Sequence, residues 1–172
     1  LDKAGFNIQS GAIIVAIDGE ILSLQKDLPQ YLNRKSGKNV LLQIVENGST
    51  REIVVKAISL GEENQLLYKR WVKRNQEEVE KLSKGQLGYV HIPGMNDGAY
   101  RNVYDDVMGK YGTRKALVVD TRFNGGGDLV SDLAAFLTGK AYMENATDTY
   151  TESFEPTFRW LKPSIALANE AN

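Results

Sequence analysis

Cysteine is absent from this 172-residue sequence, and histidine occurs once, as His91. Without thiols there is no disulfide framework, no cysteine-ligated zinc and no thiol nucleophile, although the compartment stays open. One histidine leaves no multi-histidine metal site, and no cofactor is expected. No apolar run is long enough for a membrane-spanning helix, so no membrane insertion is expected. An excess of charge of one sign is missing too: 21 basic and 22 acidic residues leave a formal net charge of -1, and no basic field draws nucleic acid. Proline is scarce, four residues in all, so the chain has few forced breaks. Those that occur read as punctuation: Pro29 disturbs the first turn of a helix and Pro93 ends a strand.

What is present is ordinary for a folded protein. With 42% hydrophobic and 25% charged residues, the chain can build one sizeable domain or two small ones. It lacks an initiator methionine and a signal peptide, opens at Leu1 in what reads as mid-loop, and stops just after a strand-like run. It therefore reads as a fragment.

Residues 1–60 carry closely spaced strand and helix signals. Ile13 to Ile17 form an apolar strand closed by Asp18-Gly19, and a short strand follows over Glu20 to Leu22. Leu24, Leu28, Tyr31 and Leu32 recur at helical spacing. Two further strands, Asn39 to Val45 and Arg51 to Ile58, flank the hairpin signal Asn47-Gly48. Ser59 to Gln65 reads as a linker. A long helix then runs over Leu66 to Ser83, with Leu67, Trp71, Val79 and Leu82 on its inner side and charges such as Arg74 and Glu78 on a solvated face.

From Leu87 onward the order is strand, helix, strand, helix, strand, which predicts parallel pairing. The strands are Leu87 to Ile92, Ala116 to Val119 and Ser164 to Ala168, and Met143 to Arg159 reads as an irregular excursion. The first helix carries Tyr100, Val103, Tyr104, Val107 and Met108 and ends at Gly109 or Gly112. The middle strand delivers the chain into Asp120-Thr121-Arg122-Phe123-Asn124-Gly125-Gly126-Gly127, and an apolar helical pattern begins at Leu129 with Asp128 near its start. A glycine turn between strand and helix leaves backbone N–H groups uncovered. Such a cradle suits a phosphate, a carboxylate or the oxyanion of an acyl-transfer intermediate. Neither Gly-x-Gly-x-x-Gly nor Gly-Lys-Ser/Thr is present, which weighs against a nucleotide loop.

Two resemblances sharpen this pattern. Gly11 to Gly19, a helix with Leu28 and Leu32, and the hairpin Val40 to Val45 with Arg51 to Val55 together look like a PDZ domain, with Ala12 where the usual pattern has Asp. The combination of Gly88-Tyr89-Val90-His91-Ile92-Pro93 with Asp120-Thr121-Arg122-Phe123-Asn124-Gly125-Gly126-Gly127 and Ala168-Asn169-Glu170 resembles the tricorn branch of the C-terminal-processing serine peptidases. The fold so implied is mixed α/β: a PDZ-like β-rich module over residues 1–60, then the first part of a crotonase-type α/β core over 61–172.

The resemblance implies a serine peptidase that cleaves oligopeptides through an acyl-enzyme and assembles as a homo-oligomer. It places the nucleophilic serine just after Asn172 and the histidine and glutamate partners outside the chain, so the isolated chain is expected to be inactive. What carries over is a backbone oxyanion donor in the turn, at Gly127 with Gly126 adjacent. His91, Asp120 and Arg122 are expected to be structural, the last two as a local ion pair. Glu144, Asp148 and Glu152 are candidates for a specificity pocket. The rival class is a non-catalytic PDZ-type module that binds peptide by strand addition.

Overall fold

The computed structural model describes residues 6–172, and the expectation that the chain opens in mid-loop at Leu1 lies outside them. The chain divides into two units, Leu1–Tyr68 and Lys69–Asn172, each with its own apolar core.

The first unit contains β1 (Ile13–Ile17), β2 (Glu20–Ile21), α1 (Leu28–Leu32), β3 (Asn39–Glu46) and β4 (Ser49–Lys56). Its strands form an antiparallel sheet in the order β2-β1-β3-β4. Alternation along β3 sends Val40, Leu42 and Ile44 inward, where they meet Ile17, Tyr31 and Ile53. The pair Glu46↔Ser49 closes the β3–β4 hairpin, leaving Asn47 and Gly48 as its two loop residues. Their φ angles are 50° and 79°, both positive as a type I′ turn demands, which is what the Asn-Gly pair predicts.

Leu24 does not join the helix as its spacing predicts. It is fully exposed, and α1 has only five residues. The reason is Pro29, which sits in the first turn, lacks an N–H and disfavours helical backbone before it.

The expected linker is also overturned. Helix α2 (Leu60–Leu82) begins directly after Ser59. The Glu62 carboxylate accepts hydrogen bonds from the Ser59 N–H at 2.8 Å and the Ser59 hydroxyl at 2.9 Å. The Glu62 N–H donates back to Ser59 Oγ at 3.2 Å. This Ser-x-x-Glu capping box starts a helix in a polar stretch that reads as a loop. The inner face expected of α2 is narrower than predicted as well: Leu67 and Leu82 are exposed and no residue of the helix is fully buried. Its half-buried positions include Trp71 and Asn75, and its exposed charges pair as Lys73–Glu77 at 3.7 Å and, with a residue beyond the helix, Glu80–Arg114 at 3.0 Å.

The second unit contains β5 (Leu87–His91), α3 (Asp97–Asp105), β6 (Ala116–Asp120), α4 (Val130–Thr138), β7 (Met143–Ala146), β8 (Thr151–Glu155) and β9 (Ser164–Leu167). Strands β5, β6 and β9 pair in parallel in that order, as the alternation of strands and helices predicts. The Asn96 side chain caps α3 by accepting the Ala99 N–H at 3.0 Å. The helix winds on through a π-helical turn, Asp106–Lys110, and ends at Tyr111. One face of the sheet presents Val90, Ile92, Leu117 and Val119 to Val103, Val107, Leu133 and Phe136. The alternate positions Tyr89, His91 and Asp120 point to the other face, where Trp71 and Asn75 of α2 meet them.

The stretch expected to be irregular contains the antiparallel β7–β8 hairpin. Its strand residues are almost all exposed, so no alternation of apolar and polar positions marks it in the sequence.

Candidate active site at the glycine turn

The site is built at the C-terminal end of β6, and it begins with a buried charge. Asp120 is fully buried. A lone buried carboxylate is strongly unfavourable, and here it is matched on every side. The Tyr89 hydroxyl donates to Oδ2 at 2.6 Å. Arg122 donates from Nε to Oδ1 at 2.9 Å, from Nη2 to Oδ2 at 2.5 Å, and from its backbone N–H to Oδ1 at 3.0 Å. The Asp120–Arg122 pair expected from the sequence is therefore present, as a forked charge-assisted contact. Burial pushes the Asp120 carboxyl up, but the bonds from Arg122 and Tyr89 outweigh it and hold the group below the usual carboxylate range. The Tyr89 phenol is pushed well above its ordinary value, first by burial and then by donating to Asp120.

This cluster has an aromatic wall. The Arg122 guanidinium lies over the Trp71 ring at 5.2 Å, and Trp71 meets His91 edge-on at 4.9 Å. His91 Nε2 lies 2.9 Å from the Arg122 carbonyl, which can only accept, so that nitrogen donates. Asn75 Nδ2 donates to the Tyr89 hydroxyl at 3.2 Å. Tyr89, Asn75 and Trp71 were not singled out by the sequence as a cluster. A buried phenol needs a partner, but only the packing of α2 on β5 shows that Asn75 supplies one.

Above the cluster the chain turns. Phe123 takes the left-handed φ of 62° and its N–H donates to Asn169 Oδ1 at 3.1 Å. The Gly125 N–H donates to the Pro93 carbonyl at 3.0 Å, and the Met95 N–H donates to the Gly126 carbonyl at 2.8 Å. A bridge joins Met95 and Gly127 in parallel. Residues 88–95, 120–127 and 168–170, far apart in the chain, thus meet at one place. Thr121 reinforces this by donating its N–H to the Leu167 carbonyl at 2.8 Å.

Glycine is required at the last position of the turn. Gly127 has φ of 143°, and a Cβ there would lie 2.3 Å from the Met95 carbonyl oxygen. Gly126 needs glycine only for its φ of 80°, since open space surrounds it. The two candidates differ in what their amides do. The Gly126 N–H is engaged by Asn124 Oδ1 at 2.6 Å, whereas among the described residues the exposed Gly127 N–H donates to no protein acceptor. Asp128 lies just before α4, whose first turn has no side-chain cap. Glu144, Asp148 and Glu152 belong to the exposed β7–β8 hairpin, with Glu144 accepting from the Thr151 hydroxyl. Among the described residues no group of three His, Asp or Glu side chains gathers closely enough to hold a metal ion.

Both parts of the chain are similar to known proteins. Residues 1–59 match the model of the tricorn protease PDZ domain, and residues 86–172 match peptidase family S41. A putative tricorn-like protease C-terminal subunit of Sulfurisphaera tokodaii is 36% identical over 127 residues, which is 74% of this chain and 14% of that protein. The tricorn protease of Thermoplasma acidophilum is 28% identical over 162 residues, 94% of this chain and 15% of that one. The crystal structure of the tricorn protease superposes with a TM-score of 0.69 at 27% identity, covering 94% of this chain and 16% of that chain. The chain thus spans about one seventh of the length of the relatives it matches. With a tricorn-type PDZ domain preceding it in the sequence, the glycine turn sits in an α/β unit of the S41 kind, and the chain belongs to peptidase family S41.

Proposed function

We propose that the protein of which these residues are part is a serine peptidase. It hydrolyses peptide bonds in oligopeptides through an acyl-enzyme, and this chain supplies one half of the oxyanion hole. The observation that carries the proposal is the Gly127 amide: exposed, unengaged by the protein among the described residues, and held in a backbone conformation that only glycine tolerates. An N–H so placed stabilises charge as it develops on a carbonyl oxygen. Gly126 is the weaker candidate, because its amide is already bonded to Asn124. The serine, its histidine base and a glutamate are assigned to segments outside these 172 residues, so the isolated chain should be inactive.

The test is turnover of fluorogenic oligopeptides by the full-length protein, with metal chelators and serine-directed inhibitors as controls. Hydrolysis that a serine reagent abolishes and a chelator spares supports the proposal, and turnover by the isolated chain overturns the placement of the missing groups. Sedimentation of the full-length protein tests the homo-oligomer expected with it.

A second reading rests on one observation in the first unit. An apolar cavity there is lined by Ile14, Ile17, Leu28, Leu32, Val40 and Leu42, among others. Peptide binding without turnover would favour a PDZ-type scaffold.

A further inference from the structure

We infer that Asn124 is a positioning residue for the oxyanion donor, acting through the conformation of the glycine turn. The inference rests on the peptidase reading of that turn. Three consecutive glycines have more accessible backbone conformations than any other tripeptide, so the turn cannot hold one amide direction by itself. Something outside the glycines must select it.

Asn124 is placed to do so. It is one of only two buried polar residues found among the described residues, the other being Asp120. Its amide uses both ends. Nδ2 donates to the Ile92 carbonyl at 2.8 Å, and Oδ1 accepts the Gly126 N–H at 2.6 Å. The first bond continues the β5–β6 ladder, whose last backbone link is the Ile92 N–H to the Asp120 carbonyl at 2.8 Å. The second draws the Gly126 amide inward. Since the Gly126 carbonyl is also fixed, by the Met95 N–H at 2.8 Å, both polar groups of Gly126 are engaged. Rotation of the peptide unit that carries the Gly127 N–H would break that contact. The amide left uncommitted is then Gly127, one residue further on.

An apolar side chain at position 124 would fill the same volume yet release Gly126. Aspartate would keep an acceptor for Gly126 but set two oxygens against each other at Ile92. Asn124 is buried, with both ends of its amide bonded within the protein, and it acts by aiming its neighbour.

The experiment compares the full-length protein with N124A and N124D at neutral pH, using kcat, KM and the binding of two inhibitors. One is a peptide aldehyde, whose serine adduct carries the oxyanion. The other is the corresponding peptide alcohol, which forms no adduct. Loss of one oxyanion donor lowers kcat by roughly 100- to 1000-fold in other enzymes, and misaiming it should lower kcat by about 10- to 100-fold here. KM and alcohol binding should hold, while aldehyde binding weakens in parallel with kcat. If N124A does not fold, N124D decides, with at least about a tenfold fall in kcat expected.

A merely structural role lowers the melting temperature and leaves kcat per folded molecule intact, and that result in a folded variant overturns the inference. Equal weakening of aldehyde and alcohol also overturns it. An inactive wild-type protein overturns the peptidase reading and this inference together, so the two failures are distinct.

Discussion

The Tyr89 hydroxyl donates to the Asp120 carboxylate across 2.6 Å, and both side chains are buried. One side chain lies on β5 and the other on β6, so this bond ties two neighbouring strands below the candidate site. Replacing Tyr89 by phenylalanine keeps the ring and removes the donor. Leaving a buried carboxylate short of one partner costs on the order of 1–3 kcal/mol, so Y89F should unfold at lower denaturant with an unchanged slope.

The same pair sets a pH window. Asp120 titrates below its ordinary value in the folded chain, so its stabilising contribution is present above about pH 4 and is lost as pH falls toward the folded value. Tyr89 titrates above its ordinary value, so its contribution is full below about pH 10 and is lost as pH rises beyond it. Stability measured against pH should therefore fall at both ends, and Y89F should remove much of the alkaline loss. An unchanged alkaline limb in Y89F would contradict this assignment.

Arg122 offers a test of geometry against charge. Its guanidinium bonds both oxygens of Asp120 and lies over Trp71, a combination that an ammonium cannot reproduce. R122K should destabilise by about 1–3 kcal/mol although the charge is kept. Thermal melts of R122K and W71A, alone and combined, should show less than additive losses.

Gly127 is where stability and chemistry meet. G127A places a methyl group 2.3 Å from the Met95 carbonyl oxygen and forces an unfavourable φ of 143°. Peptidase activity of the full-length protein should fall by roughly 100-fold or more, with the turn displaced. G126A, in open space but with φ of 80°, should fold with about 1 kcal/mol of strain and keep more of the activity.

Capping at Ser59 can be checked without any activity. S59A removes a hydroxyl that both donates to and accepts from Glu62, and about 1 kcal/mol of helix stability should go with it. Faster hydrogen exchange over residues 60–64, with β5 and β6 unchanged, is the expected signature.

Local chemistry in the sequence determined much of this protein. The β3–β4 hairpin follows from Asn47-Gly48, the parallel sheet from the alternation of strands and helices after Leu87, and the positive-φ turn at Gly126 and Gly127 from three glycines between strand and helix. Each depends on neighbours within a few residues. The start of α2 is encoded locally too, in the Ser59–Glu62 box, but the polar run around it reads as a linker and places the helix start too late, at Leu66. Only the tertiary structure decided which amide of the turn is left uncommitted. Gly126 and Gly127 are alike as residues, and they part because Asn124 reaches one of them while Met95 crowds the other. The Tyr89–Asp120–Arg122–Trp71 cluster is of the same kind: a buried carboxylate needs partners, but only the stacking of β5, β6 and α2 says which ones it finds.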